Sequence, residues 1–182
     1  MTSARILAAA ALWLAHPVAA DEPRFDRVPA PDARLIDSRG VERRFVQDIA
    51  GDRVVVLSFM FTTCETLCPV TNAILAALQA RLDVETLANV VIVSVSIDPV
   101  RDDLSRLARS AAAFGAGDHG LFVGGAGADR VSSAFGMRPA DIAFHDPVVF
   151  VGRADLELFT RSLALPEPEA LLQMIDAARR LE

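Results

Sequence analysis

The segment Phe61–Val70, FTTCETLCPV, holds both cysteines of the chain, Cys64 and Cys68, with three residues between them and Pro69 directly after. Two thiols so placed can close a small disulfide, exchange electrons with another thiol, or hold a metal ion as thiolates. A purely structural bridge is the weakest of these readings. Closing so short a loop constrains the unfolded chain very little. The spacing is C-x-x-x-C rather than the redox-typical C-x-x-C, and the extra residue can open the sulfur pair enough to seat a soft ion. Soft thiolates favour Cu(I), and a nearby imidazole also accommodates Cu(II). Structural zinc usually asks for four protein ligands, which two cysteines and one nearby histidine do not supply.

The elements around the pair decide what it can do. RVVVLSFMF (Arg53–Phe61) is a nearly continuous apolar run, as expected of a central strand buried on both faces. From Pro69 onward, Val70, Ile74, Ala77, Leu78 and Leu82 recur at helical spacing, and proline suits a first helical turn. The cysteines therefore fall in a loop between a buried strand and a helix N-terminus, where free amides and the helix dipole favour thiolate. NVVIVSVSI (Asn89–Ile97) predicts a second buried strand, and DDLSRLARSAAAF a helix ending at Gly115. LFVGG and GADRVSSAFG read as a short strand and a short helix. PVVFV and LELFT flank a turn, and EPEALLQMIDAARRL closes the chain as an amphipathic helix. RLIDSRGVERRF precedes all of these as a hairpin. The predicted fold is α/β: a thioredoxin-like arrangement with an added N-terminal β-hairpin and a middle insertion.

That topology selects among the histidines. His145 stands immediately before the late core strand, and the loop entering that strand lies beside the cysteine loop in this architecture. His145 is thus the candidate third ligand. His119, in a glycine-rich stretch, has no such reason to be near.

Residues 1–20 are of another kind. Arg5 is followed by an apolar run of about ten residues and a small-residue Val18-Ala19-Ala20 site, the pattern of a cleaved secretory signal. The run is short for a bilayer span, so an uncleaved membrane anchor is the lesser reading. With no cysteine before Cys64, a lipidated N-terminal cysteine is not expected. Residues 21–33 read as a proline-rich, extended leader and residues 34–182 as one domain. His16 and Arg5 leave with the signal, making an already acidic chain (net charge −6) one unit more acidic. The cationic residues are all arginine and form no basic stripe, which argues against nucleic acid. Outside the cytosol, a close thiol pair tends to oxidise unless it is reduced or metallated.

Three segments together resemble the Sco/SenC family of copper chaperones for cytochrome c oxidase. FTTCETLCP is similar to the family's F-x-x-C-x-x-x-C-P. VSIDPVRDDLSRLARSAAAFG is similar to its S-x-D-P-x-R-D segment, and FHDPVVFVGRAD to its late histidine and following strand. The resemblance implies copper as Cu(I) or Cu(II), with Cys64, Cys68 and His145 as ligands. It also implies a disulfide between Cys64 and Cys68 when oxidised, and a periplasmic location. The implied partners are the copper-bearing oxidase subunit and a further copper chaperone, with the mature domain at most associated with a membrane. Asp98 and Asp102 match acidic positions of the middle segment. Locally, however, Asp98 ends a strand and Asp102 suits a helix start. The family's usual Asp-His-Ser/Thr is here Phe144-His145-Asp146, so an acidic neighbour follows the ligand rather than preceding it. Asp98 and Asp146 are the candidates to orient the site.

The function expected on this basis is a metallochaperone for the dinuclear copper centre of the oxidase, which is not an enzyme in the turnover sense. The alternative is a periplasmic thiol–disulfide oxidoreductase acting on the cysteines of the same or another copper protein. A peroxiredoxin is excluded, because its T-x-x-C motif would need threonine where Phe61 stands.

Overall fold

In the computed structural model the described residues are 22–114, 120–137 and 147–182. Among the described residues eight strands form one mixed sheet in the order β1 (Asp26–Arg27), β8 (Leu158–Arg161), β7 (Val149–Arg153), β4 (Val54–Met60), β5 (Val90–Ser96), β6 (Gly120–Gly124), β2 (Arg34–Asp37), β3 (Glu42–Arg44). At its centre β4 (Val54–Met60) and β5 (Val90–Ser96) run parallel over seven residue pairs, from Val54↔Val90 to Met60↔Ser96. Every residue of both strands is buried, as a strand covered on both faces requires. β7 (Val149–Arg153) lies antiparallel to β4 and continues through a turn into β8 (Leu158–Arg161). β6 (Gly120–Gly124) extends the other side parallel to β5. The predicted N-terminal hairpin is present as β2 (Arg34–Asp37) and β3 (Glu42–Arg44), and β2 pairs with β6.

The period of two along the central strands sorts their side chains onto two faces. Val55, Leu57 and Phe59 join Val91, Val93 and Val95 on one face. There they pack on Phe45, Ile49, Phe135, Phe150 and Phe159, and on α4 (Ala128–Ala134) through Ala128 and Val131. Val54, Val56, Val90 and Ile92 point the other way. They meet Leu75 and Leu78 of α1 (Leu67–Gln79) and Leu171, Met174 and Ile175 of α5 (Pro168–Arg179). Burying each of these large side chains is worth about 1.5–3 kcal/mol. Further along that second face, α3 (Leu104–Ala113) lies against β6. Met60, Cys68, Ala111 and Phe122 form a small apolar group there, next to the cysteine loop.

Several local predictions shift. α1 begins at Leu67, so Cys68 sits inside its first turn rather than in the loop. α3 begins at Leu104, with Asp103 as its N-cap and Phe114 as its C-cap. A five-residue α2 (Val84–Ala88), capped by Asp83, precedes β5. One π-helical turn, Phe45–Ala50, follows β3. Within the stretch read as an extended leader, Asp26–Arg27 forms β1 and pairs with β8. Among the described residues no helix is long and apolar enough to cross a membrane.

Candidate metal and redox site

β4 delivers the chain to the site. Its last residue Met60 is 2% exposed, and the Ile97 amide donates to the Met60 carbonyl at 2.9 Å, so the ladder holds up to the loop. A turn then follows in which the Cys64 N–H donates to the Phe61 carbonyl at 3.1 Å. The helix that begins at Leu67 has no side-chain cap: Thr66, the N-cap residue, makes no capping hydrogen bond. Its place is taken by sulfur. The Cys68 N–H, one of the amides a helix start leaves unpaired, donates to the Cys64 Sγ at 3.3 Å. Behind the pair, buried Asn72 accepts from the Ser94 hydroxyl at 3.4 Å, and Ser94 lies 3.0 Å from the Ser58 hydroxyl. This polar link pins α1 to β4 and β5 one turn beyond Cys68.

The two thiols differ in character, and neither is in a disulfide. Partial burial pushes the Cys64 thiol up. Hydrogen bonds from the Cys68 side chain and amide and from Thr66 outweigh that and hold it below the ordinary cysteine range. Cys68 is pushed up to about 12, first by burial, then by its hydrogen bond to Cys64. Cys68 is 4% exposed, whereas Cys64 is only half-buried. Cys64 is therefore the accessible, more acidic thiol and Cys68 the inner partner that holds its proton more tightly.

Asp102 ties this loop to the next crossover. Its carboxylate accepts the Thr62 amide at 3.0–3.1 Å, the Thr62 hydroxyl, and the Ser96 hydroxyl at 2.6 Å. It is 5% exposed. The sequence suggested a helix start for Asp102, but Asp103 does that work, accepting the Arg106 amide at 2.9 Å. The described contacts of Asp98 are local. Its amide donates to Ser96 Oγ at 3.1 Å, and its buried Oδ2 lies 3.3 Å from the Arg101 Nε without a hydrogen bond. Thr62 and Ser96 were missed by sequence reasoning. The only signal was the S-x-D-P-x-R-D segment itself, in which Ser96, Asp98 and Asp102 are all buried.

His145 and Asp146, and likewise His119, lie outside the described residues. The chain resumes at Pro147, two residues before Val149, which pairs with Ser58 two residues from the end of β4. Among the described residues no group of three histidine, cysteine, aspartate or glutamate side chains converges on one point. As donors, the cysteine pair suits a soft ion: two sulfurs in hydrogen-bond contact, with the nearby carboxylate of Asp102 already committed to three donors.

A buried parallel β-α-β pair, an antiparallel hairpin and closing helix, and a dithiol at the first helix's N-terminus define a thioredoxin-like domain whose sulfur site reaches solvent through half-buried Cys64. More narrowly, the SCO1/SenC family model matches residues 29–140, and the chain belongs to that family. The match includes both cysteines and the Asp98–Asp102 segment and stops before His145. The SCO1 protein homolog of Bacillus subtilis (strain 168) is 39% identical over 69 residues, which are 38% of this chain. The matched stretch spans 35% of that relative's length. Among solved structures, Arabidopsis thaliana ScoI with copper bound superposes with a TM-score of 0.69 at 18% identity, over 85% of this chain and 99% of that one. BsSco is described as having a disulfide switch and as a member of the Sco family of cytochrome c oxidase assembly proteins. It gives a TM-score of 0.69 at 20% identity, over 89% of this chain and all of the other (100%). At such identities the structural likeness speaks for the fold.

Proposed function

We propose that the mature protein is an exported copper carrier that helps load the dinuclear copper centre of a cytochrome c oxidase, with copper as its cargo. Cys64, Cys68 and His145 are the ligands in this reading, and residues 34–182 form the copper-binding domain after loss of the signal at residues 1–20. The observation that carries it is the sulfur pair: two thiols in contact at a helix N-terminus, one half-exposed and one inside. Thiolate is the form that binds metal; Cys64 yields it more readily, and Cys68 gives up its proton when the ion binds. His145 is supported by its sequence position, two residues before Pro147, where the chain re-enters at the cysteine end of the sheet. Asp146 and Asp98 are the carboxylates available to orient it. Family membership supports copper and the oxidase as context. The copper-bearing oxidase subunit and a further copper chaperone are the proposed partners, and the periplasm is the proposed location.

The asymmetry of the thiols favours a second reading, reduction of the partner's cysteines by the same pair. An accessible thiol with its pKa lowered, backed by an inner thiol with its pKa raised, is suited to attack a disulfide and then resolve it. Copper titration separates the two. Wild type should bind one copper per chain, and Cys64→Ala or Cys68→Ala should bind none stably; wild-type binding by either variant would sink the site. His145→Ala should lose the Cu(II)–thiolate absorption band while still reducing a model disulfide. If that variant lost Cu(II) yet fully restored oxidase assembly, reductase would replace carrier.

A further inference from the structure

A cleft of about 250 Å³ opens beside the cysteine loop, lined by Thr62, Arg106, Arg109, Ser110, Ala113 and Phe114. Two of its lining residues, Thr62 and Phe114, connect it to the sulfur site. Phe114 and Cys64 pack against the same small group of Met60, Cys68, Ala111 and Phe122, and Phe114 stacks on Phe122 with ring centroids 6.4 Å apart. Thr62, held in place by Asp102, is two residues from Cys64. Arg106 and Arg109 are three apart on α3, so they share its outward face. Both are exposed. Among the described residues neither guanidinium is in an ion pair, and Arg109 spends one donor on the Ser105 hydroxyl at 3.2 Å. Asp103 lies near Arg106, but its carboxylate is occupied in capping α3. Twenty-four acidic residues stand against eighteen arginines in this chain, so a cationic recess beside its reactive sulfur is a local exception.

We propose that Arg106 and Arg109 hold a carboxylate of the thiol compound that exchanges with Cys64. The guanidinium forks match carboxylate geometry, and the cleft that they line reaches Thr62, two residues from Cys64. This rests on the reading of Cys64 and Cys68 as a redox couple. In the oxidised protein the compound's thiolate attacks the Cys64 sulfur, forming a mixed disulfide and releasing the Cys68 thiolate, which takes up a proton. A second molecule of the thiol attacks the compound's sulfur in that mixed disulfide and releases the Cys64 thiolate. Two thiols are thereby oxidised to one disulfide, and the protein pair gains two electrons.

The carboxylate can belong to a free small thiol or to acidic residues flanking a polypeptide cysteine. The test measures reduction rates of the oxidised protein by 3-mercaptopropionate, by a Glu-Cys-Glu peptide and by neutral 2-mercaptoethanol, at low and high salt. In Arg106→Glu/Arg109→Glu the anionic-to-neutral rate ratio should fall roughly fivefold at low salt, and the difference should shrink at high salt. Arg106→Gln/Arg109→Gln should give an intermediate fall, and 2-mercaptoethanol should react equally with all three proteins. An effect with mercaptopropionate assigns the recess to small thiols as well, and an effect with the peptide alone assigns it to a polypeptide. An unchanged ratio, or an equal fall for the neutral thiol, overturns the recess. Thiol counting after air oxidation stands apart: two thiols remaining would mean that the redox couple itself fails, and the proposal with it.

Discussion

At Cys64 the acceptor for a first-turn amide of α1 is sulfur rather than a capping oxygen. The helix starts three residues after Cys64, and the Cys68 thiol's hydrogen bond, reinforced by this amide and by Thr66, makes the outer thiol the more acidic one. The pH dependence follows in sign. Cys64 should alkylate with an apparent pKa below the ordinary value of about 8.5, because its folded environment favours thiolate. Cys68 should stay unreactive through neutral pH and gain reactivity only as pH approaches about 12. Mass spectrometry of iodoacetamide labelling against pH resolves the two, and labelling of Cys68 before Cys64 would contradict the arrangement. At this scale the sequence was legible where chemistry is carried by rare residues at short spacing, as with Cys64 and Cys68. It was not legible for Asp102, whose partner Thr62 is forty positions away. An aspartate ahead of a helix reads locally as a cap, and only the packed β4–β5 crossover turns it toward Thr62.

Asp102 couples two elements, the cysteine loop after β4 and the turn leading into α3. Asp102→Ala would leave the buried Ser96 hydroxyl and the Thr62 amide without their acceptor, a loss of roughly 2–3 kcal/mol. Denaturant unfolding should show that loss, and Cys64 labelling should quicken as its loop loosens. Unchanged stability would mean that water or another acceptor replaces the carboxylate without cost. The β7–β8 hairpin offers a second test. A Cβ on Gly152 would lie 2.1 Å from the Leu158 carbonyl oxygen and 2.7 Å from the Phe159 Cα. Gly152→Ala must therefore push the strands apart, and a fall of roughly 3 kcal/mol or more is expected. Long elements with a sustained apolar period, such as β4, β5, α1 and α5, were readable from sequence. α2 is five residues with nothing buried, and the π-helical turn, with Phe45, Ile49 and Ala50 buried, is six residues and too short to show a sustained period.

The whole molecule draws on residues before the hairpin. Asp32 accepts the Val46 and Gln47 amides at 2.9 and 3.1 Å and pairs with Arg44. Ala33 is in the core, with Val28 and Ala30 against it. A chain trimmed to residues 34–182 should lose roughly 2–4 kcal/mol relative to one starting at residue 22; equal urea midpoints would show that the earlier residues contribute nothing. The composition of residues 21–33 hid this. Two polar residues, Asp26 and Arg27, carry no strand signal and pair only because β8 presents an edge.

The central claim is a copper site made by Cys64, Cys68 and His145, and X-ray absorption at the copper edge tests it most directly. Copper-loaded wild type should show two sulfur scatterers and one imidazole nitrogen set, and His145→Ala should lose the imidazole signal while keeping both sulfurs. Copper bound through a single sulfur, or an unchanged imidazole signal in His145→Ala, would contradict it.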